Sequence, residues 1–570
     1  MIFETVAKMK LAKLTAGQII STKGYYVAGD GGGASYLVAA SQTVDGYGDH
    51  ALAGGTVALL QFEESANVRQ FGAKGDGVTD DTAAFQAAID YVYLLGGGVV
   101  HLPIGKHAIS QIEIPQRVIL QGEAAGFSNQ YTNNVVAPRG STLFAIAGTN
   151  ADIVTITMRL ETDGTETTLG YSNPDVRHFG GLRDLTVWGN RSVKAAPTGT
   201  NNELNNLGDA IKIAGARYVQ LHNVVAAFAA DEGVSMGSFD YGTVSGSIPS
   251  NNTLWSNVTA ISNLGNGFEL FGGDHSFSQL QAGYNGGSGI ITGVGNSCFT
   301  GCYAWNNQIN GIYFIGAGEG STTFAGCRSY DNESNGFLIG ESGQIMLSGC
   351  QAKTNGRAGG AGAFSDLNRS NFHISPLAQG VLLSGCQSVS VSGQDYDEYG
   401  FYINNTTYQV TLDGCRAASS ATSDYNVIDY SKLRSSNDIG TAQPLHSGFV
   451  AEGGIDMNGF GIDVSGGKLT NAKALSYNAW ATVSTVTTNT LACGSDSMIA
   501  LNMAAPETVN DITSTVGGIA VHIFRNAGSN AVTFTHNSSK LRNNSGANIV
   551  LATGQSVSYA YVSGAVWQQI

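Results

Sequence analysis

The chain has 570 residues, several times a typical domain, so it is either several domains or one long repetitive one. Its 77 glycines against 9 prolines, with 12% charged and 42% hydrophobic residues, exclude collagen-like and disordered chains and leave a folded, turn-rich, mostly β protein. A formal charge of -15 with no Lys/Arg run argues against nucleic acid and anionic membrane surfaces as partners, and no stretch reaches the ~20 apolar residues of a spanning helix.

In chain order, Met1 to Ala16 carries Glu4, Lys8, Lys10 and Lys13 where a secretion signal would be apolar, so no such signal is expected. Residues 1–66, including KLTAGQIISTKGYYVAGDGGGASYLV, read as a small β-rich module. The next segment, NVRQFGAKGDGVTDDTAAFQAAID joined to GGGVVHLPIGKH, reads as strand, glycine-rich turn, short helix, strand. Asp80 or Asp81 can cap the helix, and Phe85, Ala88, Ile89 and Val92 share one face, which suits a plug for the open end of a hydrophobic core.

Beyond this segment the chain repeats. Gly-apolar pairs recur at Gly233, Gly267, Gly289, Gly311 and Gly336, the last four spaced 22, 22 and 25 residues apart. Nine positions earlier stand Val224, Val258, Leu280, Cys302 and Cys327, and the phrase Gly-Cys recurs at 301, 326, 349, 385 and 414. A leucine-rich repeat would need leucines at several fixed places per period, and they are missing. The period fits a β-solenoid of three short strands per coil, with equivalent residues stacked ~4.8 Å apart. The cysteines, seven in all, then read as a reduced inward stack with Cys302, Cys327 and Cys350 at its centre. Glu232, Asn266, Ser288, Asn310 and Asn335, each just before its glycine, form a polar turn column. From about Ser476 the register is lost, and runs such as IAVHIFRNAG, AVTFTHN and SVSYAYVSGAVWQQI alternate as antiparallel strands do.

The segment from Asn67 to Gly122 resembles the opening of the pectate-lyase-like right-handed parallel β-helix of bacteriophage tailspikes, which depolymerise capsule or lipopolysaccharide. The resemblance implies an all-β fold in three parts: a virion-attachment module (1–66), a parallel β-helix with its capping helix (67–467), and a C-terminal β-sandwich (468–570) that caps and trimerises the spike, with Lys468 to Asn478 as the crossing region. It implies a homotrimer located on the virion, joined to a phage tail or baseplate protein through its N-terminus and acting on a bacterial surface polysaccharide; endo-glycosidic hydrolysis is expected, because a lyase must neutralise a substrate carboxylate and basic residues are sparse between Gly233 and Gly311. A lyase of the same fold and a non-catalytic receptor-binding fibre are the alternatives. No metal, cofactor, nucleic acid or membrane insertion is expected.

Tailspikes share no fixed catalytic motif, so the repeat register has to supply candidates. Glycan hydrolysis uses two carboxyl groups, ~5 Å apart for retention or ~6.5 to 9.5 Å for inversion, which acids on neighbouring coils can provide. Asp240 and Asp274 both fall seven residues past their glycines and form the first candidate pair. Glu269 points outward by alternation, as Tyr313 does, while Glu319, Glu341 and the pair Asp231 and Glu232 lie in turns. Tyr313, Tyr402, Trp305 and Trp255 are candidates for stacking on sugar rings, with His275 beside Asp274 as a further substrate contact; Asp395, Asp397 and Glu398 read as surface acids.

Overall fold

A computed structural model describes residues 1–61, 65–128, 137–146, 151–157, 179–190, 208–237, 250–316, 320–340, 343–356, 369–389, 398–405, 407–418, 420, 423–429 and 432–436, and beyond them strands and short turns between 450 and 569. The chain divides into two compact units, Met1–Asp456 and Met457–Ile570.

The first unit opens with a five-stranded sheet built from Ile2–Phe3, Ile19–Thr22, Ser35–Ala39, Val57–Leu60 and His50–Ala51. Its buried Val6, Met9, Tyr36 and Leu60 are continuous with the core of the adjoining solenoid. The Tyr91 hydroxyl donates to the Leu60 carbonyl (2.9 Å) and the Tyr26 hydroxyl to that of Gly72 (3.0 Å), tying the small sheet to the solenoid opening. The expected helix spans Thr82–Leu94 and buries Phe85, Ala88, Ile89, Tyr91 and Val92. Asp80 supplies its first hydrogen bond, accepting the Thr82 N–H (2.9 Å). Asp81 turns away: its buried carboxylate accepts the Lys74 and Gly75 N–H groups (2.8 and 2.9 Å) and meets His107 Nδ1 (3.2 Å).

A parallel β-helix then runs to residue 436, with three strands per coil. One row holds, in order, strands from Ile112–Ile114 through Val154–Thr157, Ile211–Ala214, Val234–Gly237, Phe268–Gly273, Ile290–Gly295, Ile312–Phe314 and Phe337–Ile339 to Ser423–Val427, each parallel to the next. A second row includes Ser276–Ser278, Ser297–Thr300, Ser321–Ala325 and Gln344–Ser348; a third includes Gln281–Gly283, Tyr303–Trp305, Arg328–Tyr330 and Gln351–Lys353. In earlier coils the second and third rows are one bent strand, as in Gln220–Ala227 and Leu254–Ile261.

The bends explain the repeated Gly-Cys phrase. At the corner between second and third rows the backbone is left-handed: φ is 52° at Asn223, 53° at Asn257 and 55° at Gln279, then 62° at Gly301 and 61° at Gly326. Asn tolerates that conformation and glycine adopts it without steric cost. The next residue points inward, so Val224, Val258, Leu280, Cys302, Cys327, Cys350, Cys386 and Cys415 stack with no exposed surface. The five cysteines form no disulfide, and the thiols of Cys327 and Cys350 donate to the carbonyls of Phe299 and Phe324 on the preceding coil (3.4 and 3.3 Å).

A second inner ladder, which the Gly-apolar spacing does not reveal, consists of fully buried asparagines. The Nδ2 of Asn263, Asn285, Asn307, Asn332 and Asn355 each donates to the Oδ1 of the next (3.0, 2.9, 2.9, 2.8 Å, and 2.6 Å to Asn371). Each amide also serves backbone groups, so the turn after the third row needs no water to satisfy it.

The second unit pairs strands both ways. Val521–Asn526 with Ser556–Ser563 and Val532–Phe534 with Ile549–Leu551 are antiparallel, as the alternating runs predict. Ala481–Val483 with Met498–Leu501, and Glu507–Val509 with Val532–Phe534, are parallel. Alternation reports one buried face and is indifferent to strand direction, so it cannot distinguish the two. The expected crossing region Lys468–Asn478 lies outside the described residues.

Candidate active site

The polar turn column reappears in space. Register places Val154, Ile211, Val234, Phe268, Ile290, Ile312 and Phe337 side by side, so the residues two positions ahead of them form one line: Asp152, Asp209, Glu232, Asn266, Ser288, Asn310 and Asn335. The last five are the column read from sequence. Asp209 and Asp152 extend it by two coils, and both are acids.

These acids are packed together. Oxygens of Asp209, Asp231 and Glu232 all lie within 4.8 Å of one another, the carboxylate group best placed among the described residues to share a cation. Asp209 accepts the Glu232 N–H (3.1 Å) and the Ser235 hydroxyl. Its own N–H donates to Asp152 Oδ1 (3.0 Å), and Lys212 Nζ pairs with Asp152 Oδ2 (3.2 Å). Asn266 bridges the cluster to the outer surface: its Nδ2 donates to Glu232 Oε1 and to Glu269 Oε2, both at 3.2 Å. Those two oxygens are therefore no more than twice that distance apart.

Burial and crowding set the protonation. Loss of solvent raises the Glu232 carboxyl far above the usual range, reinforced by the hydrogen bond and charge of Asp231 and the charges of Asp209 and Glu269. Burial also raises Asp209, against the opposing hydrogen bond from Ser235, and raises Asp231. Burial works against the charge on Lys212, but Asp152 more than restores it. The result is an Asp231–Glu232 pair biased towards holding a proton, most strongly at Glu232, with a cation one coil away and a partly exposed carboxyl on Glu269.

The other expected residues scatter. Glu269 does project outward, in the same outer column as Ser235, Ile291 and Tyr313. Asp274 is exposed at a left-handed corner (φ 59°), where Asn252 and Asn296 occupy neighbouring coils (56° and 47°). Five residue steps along an extended strand separate it from Glu269, ~16 Å, so the two do not flank one glycosidic bond. Its intended partner Asp240 lies outside the described residues, as do Glu319, Glu341, Asp395 and Asp397. Trp255 is no sugar platform: it is fully buried, its ring 4.9 Å from Phe277 in the core. His275 is buried too, its Nδ1 accepting from the Thr253 hydroxyl (2.9 Å), and burial pushes it down to about 4. Both occupy inward positions, the opposite parity to the one expected. Tyr402 is 5% exposed, whereas Tyr313 and Trp305 are half-buried on the outside.

Asp209 was legible in principle, since it stands 23 residues before Glu232, within the repeat period. Ala210 succeeds it where later coils have glycine, so a search on Gly-apolar pairs passes over it.

Comparison with known proteins fits this architecture. The family model described as rhamnogalacturonase A/epimerase, pectate lyase-like, matches residues 65–338, and that of the phage depolymerase C-terminal beta sandwich domain matches 476–568. Mannuronan C5-epimerase AlgE5 of Azotobacter vinelandii is 41% identical over 126 residues, 22% of this chain and 11% of that protein. The preneck appendage protein of Bacillus phage PZA is 42% identical over 65 residues, 11% of this chain and 7% of its own length. The chain thus spans a small fraction of these curated relatives. Among solved structures, the gp42 tailspike of Acinetobacter phage vb_AbaP_AS12 aligns over 100% of this chain and 93% of its own, with TM-score 0.50 and 13% identity, a likeness of fold. Residues 65–338 are thus similar to the pectate-lyase-like family and residues 476–568 to the phage depolymerase C-terminal β-sandwich family.

Proposed function

We propose that the protein is a phage tailspike that binds and depolymerises a bacterial surface polysaccharide, capsule or O-antigen, by endo-glycosidic hydrolysis at the acid cluster. The observation that carries this reading is the Asn266 amide, which bridges a half-buried Glu232, its carboxyl raised by desolvation and by Asp231, to the outer Glu269. Glu232 donates its proton to the glycosidic oxygen as the bond to the anomeric carbon breaks. Glu269, with an oxygen no more than two 3.2 Å contacts from Glu232 through Asn266, stabilises or captures the sugar cation, and water then completes the cleavage. Asp209 and Asp231 keep the proton on Glu232 by repulsion, and Ser235 and Lys212 hold Asp209 and Asp152 in place.

Lys212 favours a second reading. A cation beside carboxyl groups suits neutralisation of a uronate carboxylate before proton abstraction, which would make the reaction a β-elimination. Incubating the protein with panels of purified capsular and O-polysaccharides distinguishes the readings. Hydrolysis releases fragments heavier by one water per cut; elimination releases unsaturated ends that absorb in the near ultraviolet. Absence of any fragment across the panels would favour a non-catalytic receptor-binding fibre. The same reading puts the protein on the virion as a homotrimer attached through residues 1–66, so light scattering should give three times the single-chain mass of 59.1 kDa.

A further inference from the structure

The third strand row carries two outward columns that the acid cluster does not use. One column runs Gln281, Tyr303, Arg328, Gln351, Gln387, Arg416; the next runs Gly283, Trp305, Tyr330, Lys353. The chain holds 43 acids against 28 bases, yet neither column contains a carboxylate. None of Arg328, Lys353 and Arg416 forms an ion pair within the described residues. Asp331, next after Tyr330, begins the adjoining turn.

The rings between these cations form a built surface. Tyr303 and Trp305 stack with centroids 4.7 Å apart and planes 20° apart, and Tyr330 meets Tyr303 edge-on at 5.3 Å. Glycine at 283 is required by the platform: a Cβ there would stand 2.4 Å from the Trp305 ring, so the indole lies flat against the backbone of the preceding coil. Trp305, Tyr303 and Tyr330 are all half-buried. By contrast, the second-row column through Cys298, Thr323, Met346, Leu382 and Thr411 is uncharged until Arg434, and it carries no aromatic ring.

We infer that this row is a binding track for an anionic, carboxylate-bearing polysaccharide: pyranose faces lie on Trp305 and Tyr303 while Arg328, Lys353 and Arg416 meet the acidic groups at intervals set by the coils. Rings offer stacking surface to the apolar face of a sugar, and unpaired cations are free to meet carboxylates. The inference rests on the reading of the chain as a polysaccharide-binding spike and specifies the charge of its glycan.

The test titrates the full chain with alginate, polygalacturonate and hyaluronan as anionic polymers and with dextran and pullulan as neutral ones, following tryptophan fluorescence and mobility in polymer-containing gels. At least one anionic polymer should bind, more weakly as salt rises, with the neutral ones inert. Arg328→Gln with Lys353→Gln should weaken that binding at least ~10-fold, and Trp305→Ala should remove the fluorescence change. Circular dichroism checks that these surface variants fold. Equal binding of neutral polymers, no binding to any anionic polymer, or unchanged binding by the Arg328/Lys353 double variant would each overturn the inference. Glu232→Gln should bind as the parent does, which separates this surface from the chemistry: an active Glu232→Gln alongside a binding-deficient double variant would defeat the catalytic reading and leave the track standing.

Discussion

One column of the β-helix, two residues ahead of the first strand row, has two chemically opposite halves. In the later coils it holds Ser288, Asn310 and Asn335, where the Asn335 amide donates to Asn310 Oδ1 (3.2 Å) and the Asn310 N–H donates to Ser288 Oγ (3.2 Å). Amides and hydroxyls both donate and accept, so the stack satisfies itself. In the earlier coils the same position holds Asp152, Asp209 and Glu232, which only accept unless protonated, and oxygens of Asp209 and Glu232 crowd with those of the adjoining Asp231 within 4.8 Å. The backbone register is common to both halves, so the turn itself does not require acids. A position that folds well with asparagine but carries costly carboxylates in one stretch marks where charge is retained for chemistry.

The comparison can be broken from the amide side first. Asn307 belongs to the inner ladder, its Nδ2 donating to the Ala282 carbonyl (3.1 Å) and to Asn332 Oδ1 (2.9 Å). Asn307→Asp would set an acceptor against two acceptors in a fully buried site, and should cost about 3 kcal/mol or more in urea-induced unfolding. An unchanged midpoint would mean that these coils tolerate carboxylates freely, and the contrast between the halves would lose its meaning.

The acid half should leave a signature in the pH dependence of stability. Asp209 is raised by burial from an ordinary carboxylate value to about 6, so the native state binds the extra proton across that interval. Its contribution is present below its unfolded pKa, near 4, and is lost as pH rises through about 6. Asp209→Asn removes this loss, so the parent should lose about 1–3 kcal/mol relative to the variant between those values. Parallel stability curves for the two proteins would show that Asp209 titrates normally and that the cluster is not strained.

The smallest expected effect concerns the neutral cysteine stack. Cys298 is partly exposed on the second row, whereas Cys302, Cys327, Cys350, Cys386 and Cys415 are buried, and neighbouring thiols together with burial raise Cys350 and Cys386 further. A thiol reagent should label Cys298 in the native protein, and the other five only on unfolding. Mass-spectrometric mapping that finds prompt label on Cys327 or Cys350 would show that the coil stack opens locally.

Much of the coil was legible because glycine and cysteine sit where backbone geometry demands them. The left-handed corner selects Gly301 and Gly326, and the inward step after it selects Cys302 and Cys327, so a repeated dipeptide reports a repeated conformation. The helical plug was legible from its apolar spacing for the same reason. The site was only half legible. Glu232 and Glu269 came from the register, but Asp209 was lost to an alanine in the glycine position. Trp255 and His275 read as outward because a strand's parity cannot be fixed without knowing where its bend falls. Asp274 reads as a chemical residue, although a left-handed corner selects Asp or Asn for backbone reasons alone. The aromatic and basic track of the third row escaped because its members recur at spacings of 22 to 36 residues and mix Gln, Tyr, Trp, Arg and Lys with no single residue type kept along either column.

The most direct test of the acid cluster is the cleavage rate of Glu232→Gln against the parent on whichever polysaccharide the parent degrades. Glutamine keeps the shape of the side chain and can still meet Asn266, so the fold and glycan binding should persist. It cannot give up the proton, so turnover should fall by at least ~100-fold, and Glu269→Gln should fall comparably while Asp274→Asn stays near the parental rate. Parental turnover in Glu232→Gln would contradict the assignment and place the chemistry elsewhere on the spike.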